Sequence, residues 1–456
     1  MADNGELAWP EVGLGELLGT KGYIRGPFGS ALRRNELQSS GIPVYEQQHA
    51  IDGVREFRYF IDDEKYKELK RFAVHENDLI ISCSGTIGRV SVIRKEDPPG
   101  IISQALLILR PDVSVATPEF LYYFLTSRVG FRSIASVSSG SVQVNIARRS
   151  VVESIRLRLP PLPVQRAIAR ILGALDDKIE LNRKMNETLE AMARAIFKSW
   201  FVDFDPVKAK AESRQPSGMD AATAAVFPDS FVESELGLIP RGWAVATLGE
   251  VLGTLVSGAR PRGGATSEGV PSIGAENVLG LGRYDYSKEK FVPLGFFEQL
   301  KAKGADVRPG DVLLYKDGAK VGRKAYFDCG FPHRQCAINE HVFILRATEH
   351  RLQRFLFFWL DQPWMTHEIV SLNSNSAQPG INQAGVRGLP ILLPETNLIG
   401  AFDATVAPLT DAIFANYLES RTLAAIRDAL LPKLMSGEIR VGQVGPDRKV
   451  KQKWAG

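Results

Sequence analysis

The sequence repeats itself once. Trp9 and Trp243 lie 234 positions apart, as do Leu14-Gly15-Glu16 and Leu248-Gly249-Glu250. The series continues in order: Asp78 with Asp311, Gly85 with Gly318, Gly88-Arg89 with Gly322-Arg323, 120–125 (FLYYFL) with 355–360 (FLFFWL), and Leu159-Pro160 with Leu393-Pro394, all at offsets of 233 to 235. Chance supplies one such match, but not an ordered series whose small drifts cancel. The period is too long for a solenoid turn and has the size of a domain. An internal pseudo-two-fold repeat is therefore expected.

Each copy has two parts. The first, about 1–160 and 241–394, mixes short strand-like runs with turns. Runs 79–82 and 312–315 read as strands, each preceded by a turn-like Asn-Asp or Gly-Asp and followed by glycine; 105–110 and 342–346 read as second strands. The aromatic runs lie in helical patterns at 118–128 and 350–361. They are crowded together without polar interleaving, so they read as core rather than as a base-stacking surface.

The second part is helical. From Val164 to about Phe201 apolar residues fall at Ile168, Leu172, Leu175, Ile179, Leu189, Ala193, Ile196 and Trp200, in steps of three and four that make a seam interrupted by Asn182 and Asn186. The second copy supplies Phe402, Val406, Leu409, Ile413, Leu423, Leu430 and Leu434, with Asn416 and Ser420 as its interruptions. Each stands 234 after a seam position of the first copy. Two matching seams most economically pack on each other. A helix of ~38 residues is ~57 Å long, enough to separate two DNA half-sites one helical turn apart, about 34 Å. Residues 206–240 are rich in small and turn residues and read as a linker.

Of 456 residues, 44% are hydrophobic and 24% charged, a globular balance. Apolar runs such as 355–360 are far too short to span a bilayer. The start, MADNGELAWP, is acidic and lacks the apolar core of a secretory signal. Three cysteines make no disulfide framework and fit a reducing cytoplasm. The net charge of +4 permits a nucleic-acid partner and equally suits an ordinary soluble protein.

Catalytic signatures are lacking. Residues 318–324 (GAKVGRK) miss the spacing of a phosphate-binding loop. Asp97-Pro98-Pro99-Gly100 approaches an amino-methyltransferase motif, but its glycine cannot stack on a base, so it reads as a turn. No acidic cluster suggests a nuclease metal. Cys329, His333, Cys336 and His341 are of types that bind zinc, but their spacing is irregular and 100–110 of the first copy offers no counterpart. No metal and no catalytic residue are expected.

The run 159–207, LPPLPVQRAIARILGALDDKIELNRKMNETLEAMARAIFKSWFVDFDPV, resembles the central conserved region of Type I restriction–modification specificity subunits. Residues 233–243 (ESELGLIPRGW) resemble the opening of their second half, and 430–439 (LLPKLMSGEI) their closing motif. The resemblance implies an α+β fold: two similar α/β target-recognition domains joined by two long antiparallel helices that form a coiled-coil spacer. On this reading 1–160 and 241–394 are the recognition domains, 161–205 and 395–440 the conserved helices, 206–240 the linker and 441–456 a tail. The resemblance further implies that the chain binds double-stranded DNA with a bipartite target and binds no cofactor itself. Two modification subunits carrying S-adenosylmethionine would methylate adenine, and two motor–nuclease subunits would use ATP and magnesium. No membrane partner is implied. A fused restriction–methyltransferase and a coiled-coil interaction protein are the alternatives.

Paired features suggest DNA contacts. Each copy has a glycine-bearing turn after a strand. One holds Thr86 and Arg89; the other holds Lys316, Lys320, Arg323 and Lys324. Glycine admits close backbone approach to phosphate, and the cations neutralise it. Gln143 and Asn145, with Gln378 and Asn382, could bond to adenine or hold a domain in place. Residues that choose a sequence should differ between copies; Arg33, Arg34 and Gln47, against Arg260, Arg262 and Lys288, are candidates.

Overall fold

Leu79–Ser82 is buried at all four positions, as a strand covered on both faces must be. In the computed structural model, which describes residues 9–136, 149–373 and 380–441, this strand is central to the first of two units. That unit comprises Met1–Asp177 with Leu423–Gly456; the second is Lys178–Thr422.

In the first unit, Leu79–Ser82 pairs antiparallel with Leu106–Pro111 on one side and with Val90–Val92 on the other, and Leu18–Arg25 adds the outer strand. A smaller mixed sheet runs Phe60–Ile61, Ile42–Tyr45, Ile101–Ile102. Glu11–Gly13 pairs with Arg156–Arg158, tying the beginning of the domain to its end. Helix Pro118–Thr126 begins where the Thr117 hydroxyl accepts from Phe120 N and a proline takes the first turn. It buries Phe120, Leu121, Phe124 and Leu125.

The second unit has the same strand order, Leu252–Ser257, Val342–Ala347, Asp311–Tyr315, Lys324–Phe327, plus a short parallel strand Gly280–Leu281. Its small sheet is Phe291–Val292, Val270–Ile273, Ala337–Ile338, and Ala244–Thr247 pairs with Pro390–Leu393. Helix Leu352–Leu360 is buried along its whole length. Both aromatic runs are thus core.

The long helices are Leu162–Phe201 and Thr396–Ser436. In the second unit they run antiparallel: Asn182 meets Asn416 and Ser420, Asn186 meets Ile413, and Phe197 meets Phe402. In the first, Ile168 and Leu172 share a core with Leu431 and Leu434, and Arg427 pairs with Asp176 at 2.7 Å. The later helix is long and apolar enough by composition to cross a membrane, yet its Phe402, Val406, Ile413 and Phe414 are buried in the core of the second unit.

The expected linker is folded. Asp205–Ala211 and Ala221–Ala225 are helices, and Phe231–Ser234 forms a hairpin with Gly237–Pro240. Val207 and Phe227 are buried, the latter edge-on to Trp200. A few well-spaced large residues suffice to anchor this segment, too few to leave a period in the sequence.

Candidate nucleic-acid interface

A buried ion pair fixes the strand that leads to each glycine turn. In the first unit Arg110 donates from Nε and a terminal nitrogen to both oxygens of Asp78, at 2.7 and 2.8 Å, and His75 N donates to the same carboxylate at 2.7 Å. In the second, Arg346 holds Asp311 at 2.7 and 2.6 Å, with Arg308 N at 2.8 Å. Both aspartates are buried; burial pushes the Asp311 carboxyl up, opposed by Arg346. Bidentate pairing with further donors is what allows a buried charge to persist. The arginines stand 32 and 35 residues beyond their partners, so nothing in the local sequence announces them.

Beyond each strand lies the turn. Gly85 and Gly88 have φ of +63° and +75°, Gly318 and Gly322 +88° each, a region that favours glycine. Thr86 and Arg89 are exposed, and Arg89 lies over the Phe131 ring. The Thr86 carbonyl accepts from Ser82 Oγ at 2.5 Å, and Gln47 Nε2 donates to the carbonyls of Ser84 and Thr86. Gln47 therefore braces the turn. In the second turn Lys320 is exposed and Arg323 half-buried. Lys316 pairs with Asp317 at 3.1 Å and packs over Phe343.

Lys324 does not join this surface, contrary to expectation. It lies in a strand buried at every position, where its ammonium bonds to Thr366 Oγ1, and burial pulls its pKa down to about 8. Asn382 is exposed, but its Oδ1 accepts from Gly385 N at 2.8 Å and caps the helix Gln383–Gly388. Gln143, Asn145 and Gln378 lie outside the described residues. Lys288 pairs with Asp285 at 3.2 Å.

Each unit has a cleft beside the segment that follows its first long strand, and in the second unit the cleft also reaches Asp317 and Gly318 of the turn. In the first unit it encloses about 480 Å³ between the segment after the first long strand, with Arg33, Arg34 and Leu37, and Glu46, Ser103 and Gln104. In the second it encloses about 280 Å³ between Arg260 and Ala265 on one side and Tyr315, Asp317, Asn339 and His341 on the other. Arg262 is exposed on the same segment. Neither cleft was visible in the sequence.

The residues weighed for zinc separate. His333 pairs with Glu289, His341 Nδ1 with Asp317 at 2.6 Å, and Cys336 is buried, its thiol pushed up to about 12 by desolvation. Cys329 instead neighbours Asp328 and Asp411, where Arg354 already bonds to Asp403, Asp411 and Asp328. Asp97 pairs with Arg55 at 3.0 Å, and the Pro98 carbonyl accepts from Tyr45 OH at 2.7 Å, so that motif is a braced turn.

The seam residues divide by burial. Leu172, Asn182, Val406 and Ile413 are buried; Leu175, Ile179, Leu189, Ile196, Leu409, Asn416, Leu423 and Leu430 are half-buried. Phe197, Phe201, Thr410 and Phe414 are buried beside them and were not anticipated.

Residues 28–191 match the family described as "Type I restriction modification DNA specificity domain". The chain is 28% identical over 387 residues to the Type I restriction enzyme HindI specificity subunit of Haemophilus influenzae, covering 74% of this chain and 81% of that one. It is 25% identical over 442 residues to the MjaVIII specificity subunit of Methanocaldococcus jannaschii, covering 95% and 93%. The fold is similar to the Type I restriction–modification S subunit from M. genitalium, with a TM-score of 0.57 and 16% identity over 95% of this chain and 98% of that chain.

Proposed function

We propose that the chain is a specificity subunit of a Type I restriction–modification enzyme, and that it reads a DNA target in two halves while performing no chemistry itself. One recognition domain, 1–160, reads one half and the other, 241–394, reads the second; helices 161–205 and 395–440 set the gap. The observation that carries this reading is the similarity to specificity subunits along nearly the whole chain. It is supported by the recurrence of one strand order, with a cleft and a glycine turn, in each unit. Asn182 and Asn416, equivalent by sequence, touch each other, as a two-fold axis through the seam would require. Nothing favours a fused restriction–methyltransferase.

The partners are double-stranded DNA, two modification subunits that carry S-adenosylmethionine and methylate adenine, and two motor–nuclease subunits that use ATP and magnesium, all in the cytoplasm. Leu181, Met185 and Met192 lie exposed on one stretch of the first long helix and suit docking of a modification subunit, since apolar residues grouped on a helix surface mark interaction sites. Methylation-aware sequencing of host DNA tests the function. A split motif with methylated adenine in both halves, lost when the gene is deleted, is expected. A motif that survives deletion overturns the reading.

A further inference from the structure

We infer that the loops 27–40 and 259–268 choose the bases, while the turns 84–89 and 316–323 hold phosphate. The inference rests on the reading above and adds which residues carry specificity.

Both loops are framed alike. A Cβ on Gly26 would fall 2.0 Å from the Ser103 carbonyl oxygen, and one on Gly258 1.8 Å from that of Ile338. At the far ends Gly41 and Gly269 have φ of +126° and +130°, and a Cβ would lie 2.6 and 2.4 Å from the carbonyl oxygens of Ile61 and Val292. Only glycine fits at these four positions, because the obstacle is backbone. The ends of each loop are thereby fixed on the sheet edges, while the interiors differ in length and share no pattern.

The contents of the loops suit base reading. Phe28 is 60% exposed, with the Arg25 guanidinium 5.6 Å from its ring centroid, on the loop that also carries Arg33 and Arg34. Among the described residues, Arg33, Arg34 and Arg262 are in no ion pair, and Arg260 reaches its nearest carboxylate, Glu340, only at 4.0 Å. Unpaired guanidiniums are free to take guanine bidentately, and an exposed ring can stack on a base or wedge between steps. Each cleft is also lined by an amide, Gln104 in one and Asn339 in the other, a group that can bond to adenine; the carboxylates beside them, Glu46 and Asp317, are already held by Arg58 and by Lys316 and His341.

The division of roles follows from what repeats. Phosphate is the same at every step of a duplex, and bases are not. The glycine turns recur in both units with exposed cations, Arg89 in one and Lys320 in the other. The framed loops recur in position and differ in content.

The test uses the full-length chain, a pool of duplexes with a 30-bp random segment, and sequencing of the bound fraction. The wild-type chain should enrich a two-part sequence. Replacing 259–268 by a Gly-Ser segment of equal length should lower enrichment of one half roughly tenfold or more and leave the other half unchanged. Replacing 27–40 should do the reverse. Arg260→Ala with Arg262→Ala, and Arg33→Ala with Arg34→Ala, give the same separation should a loop replacement not fold. Lys320→Ala with Arg323→Ala should weaken binding and its salt dependence without changing either half. Loop variants that enrich the wild-type sequence undiminished overturn the inference. A wild-type chain that enriches no two-part sequence overturns the reading beneath it instead.

Discussion

Lys324 separates what a residue's type suggests from what its position allows. In the sequence it follows Arg323 in a cationic turn; in the fold it opens a strand buried at every position, where its ammonium meets Thr366 and its pKa is lowered to about 8. A lowered lysine pKa means that the unfolded chain binds the proton more tightly than the folded one. Below about pH 8 both states are charged and folding bears the full desolvation cost. Between about 8 and 10.5 the folded lysine is already neutral while the unfolded one still ionises, so the cost fades. Lys324→Met should therefore stabilise the protein by ~1–3 kcal/mol at pH 7, and the gain should shrink as pH rises through that window. Urea unfolding at pH 7 and pH 10 measures it; an equal gain at both would trace the effect to packing rather than charge. The duplicated Asp–Arg pairs were half legible for a related reason. Asp78 and Asp311 stand out as matched positions, but their arginines are found only by strand pairing.

At the scale of elements, the long helices were legible because a step of three and four sustained over ten turns has one physical reading. Their edges were not. Phe197, Phe201 and Phe414 are buried because these helices pack on the sheet domains as well as on each other: Phe197 touches both Phe402 of the partner helix and Phe355 of the domain. An apolar stripe that serves two neighbours is wider than a seam. The segment read as a linker leaves the opposite trace, its short helices being held by isolated anchors, Val207 and Phe227, that make no period. Within the seam the asparagines form a ladder: Asn182 donates to Glu419 at 2.8 Å and Ser420 at 3.2 Å, and Asn416 donates to Asn186 Oδ1 at 2.9 Å. Changing Asn416 alone to Leu leaves the buried Asn186 Oδ1 without its donor, and should cost ~1–3 kcal/mol. Changing Asn182, Asn186 and Asn416 together should cost less than that single change, because no buried amide is left without a partner. Denaturant midpoints of the single and triple variants decide; additive losses would show that the ladder is not one unit.

The whole chain is organised so that its proposed DNA-reading parts are interrupted by its helices, and this ties target geometry to helix length. Seven residues added to each helix at facing positions, between Asp177 and Lys178 and between Arg421 and Thr422, would restore the seam's period on both sides and lengthen the pair by about 10 Å. These sites lie at or within one residue of the boundary between the two units, so each domain keeps the helix residues packed in its core, and the asparagine contacts that fix the register are kept. At 3.4 Å per base pair, the gap in the recognised DNA should grow by up to about three base pairs, with both half-sites unchanged. An insertion in one helix alone puts the seams out of phase and should destabilise the chain instead of moving the gap. Sequencing of duplexes bound by the doubly lengthened chain reads the gap directly. Retention of the original gap with both halves still recognised would show that something other than helix length sets the spacing.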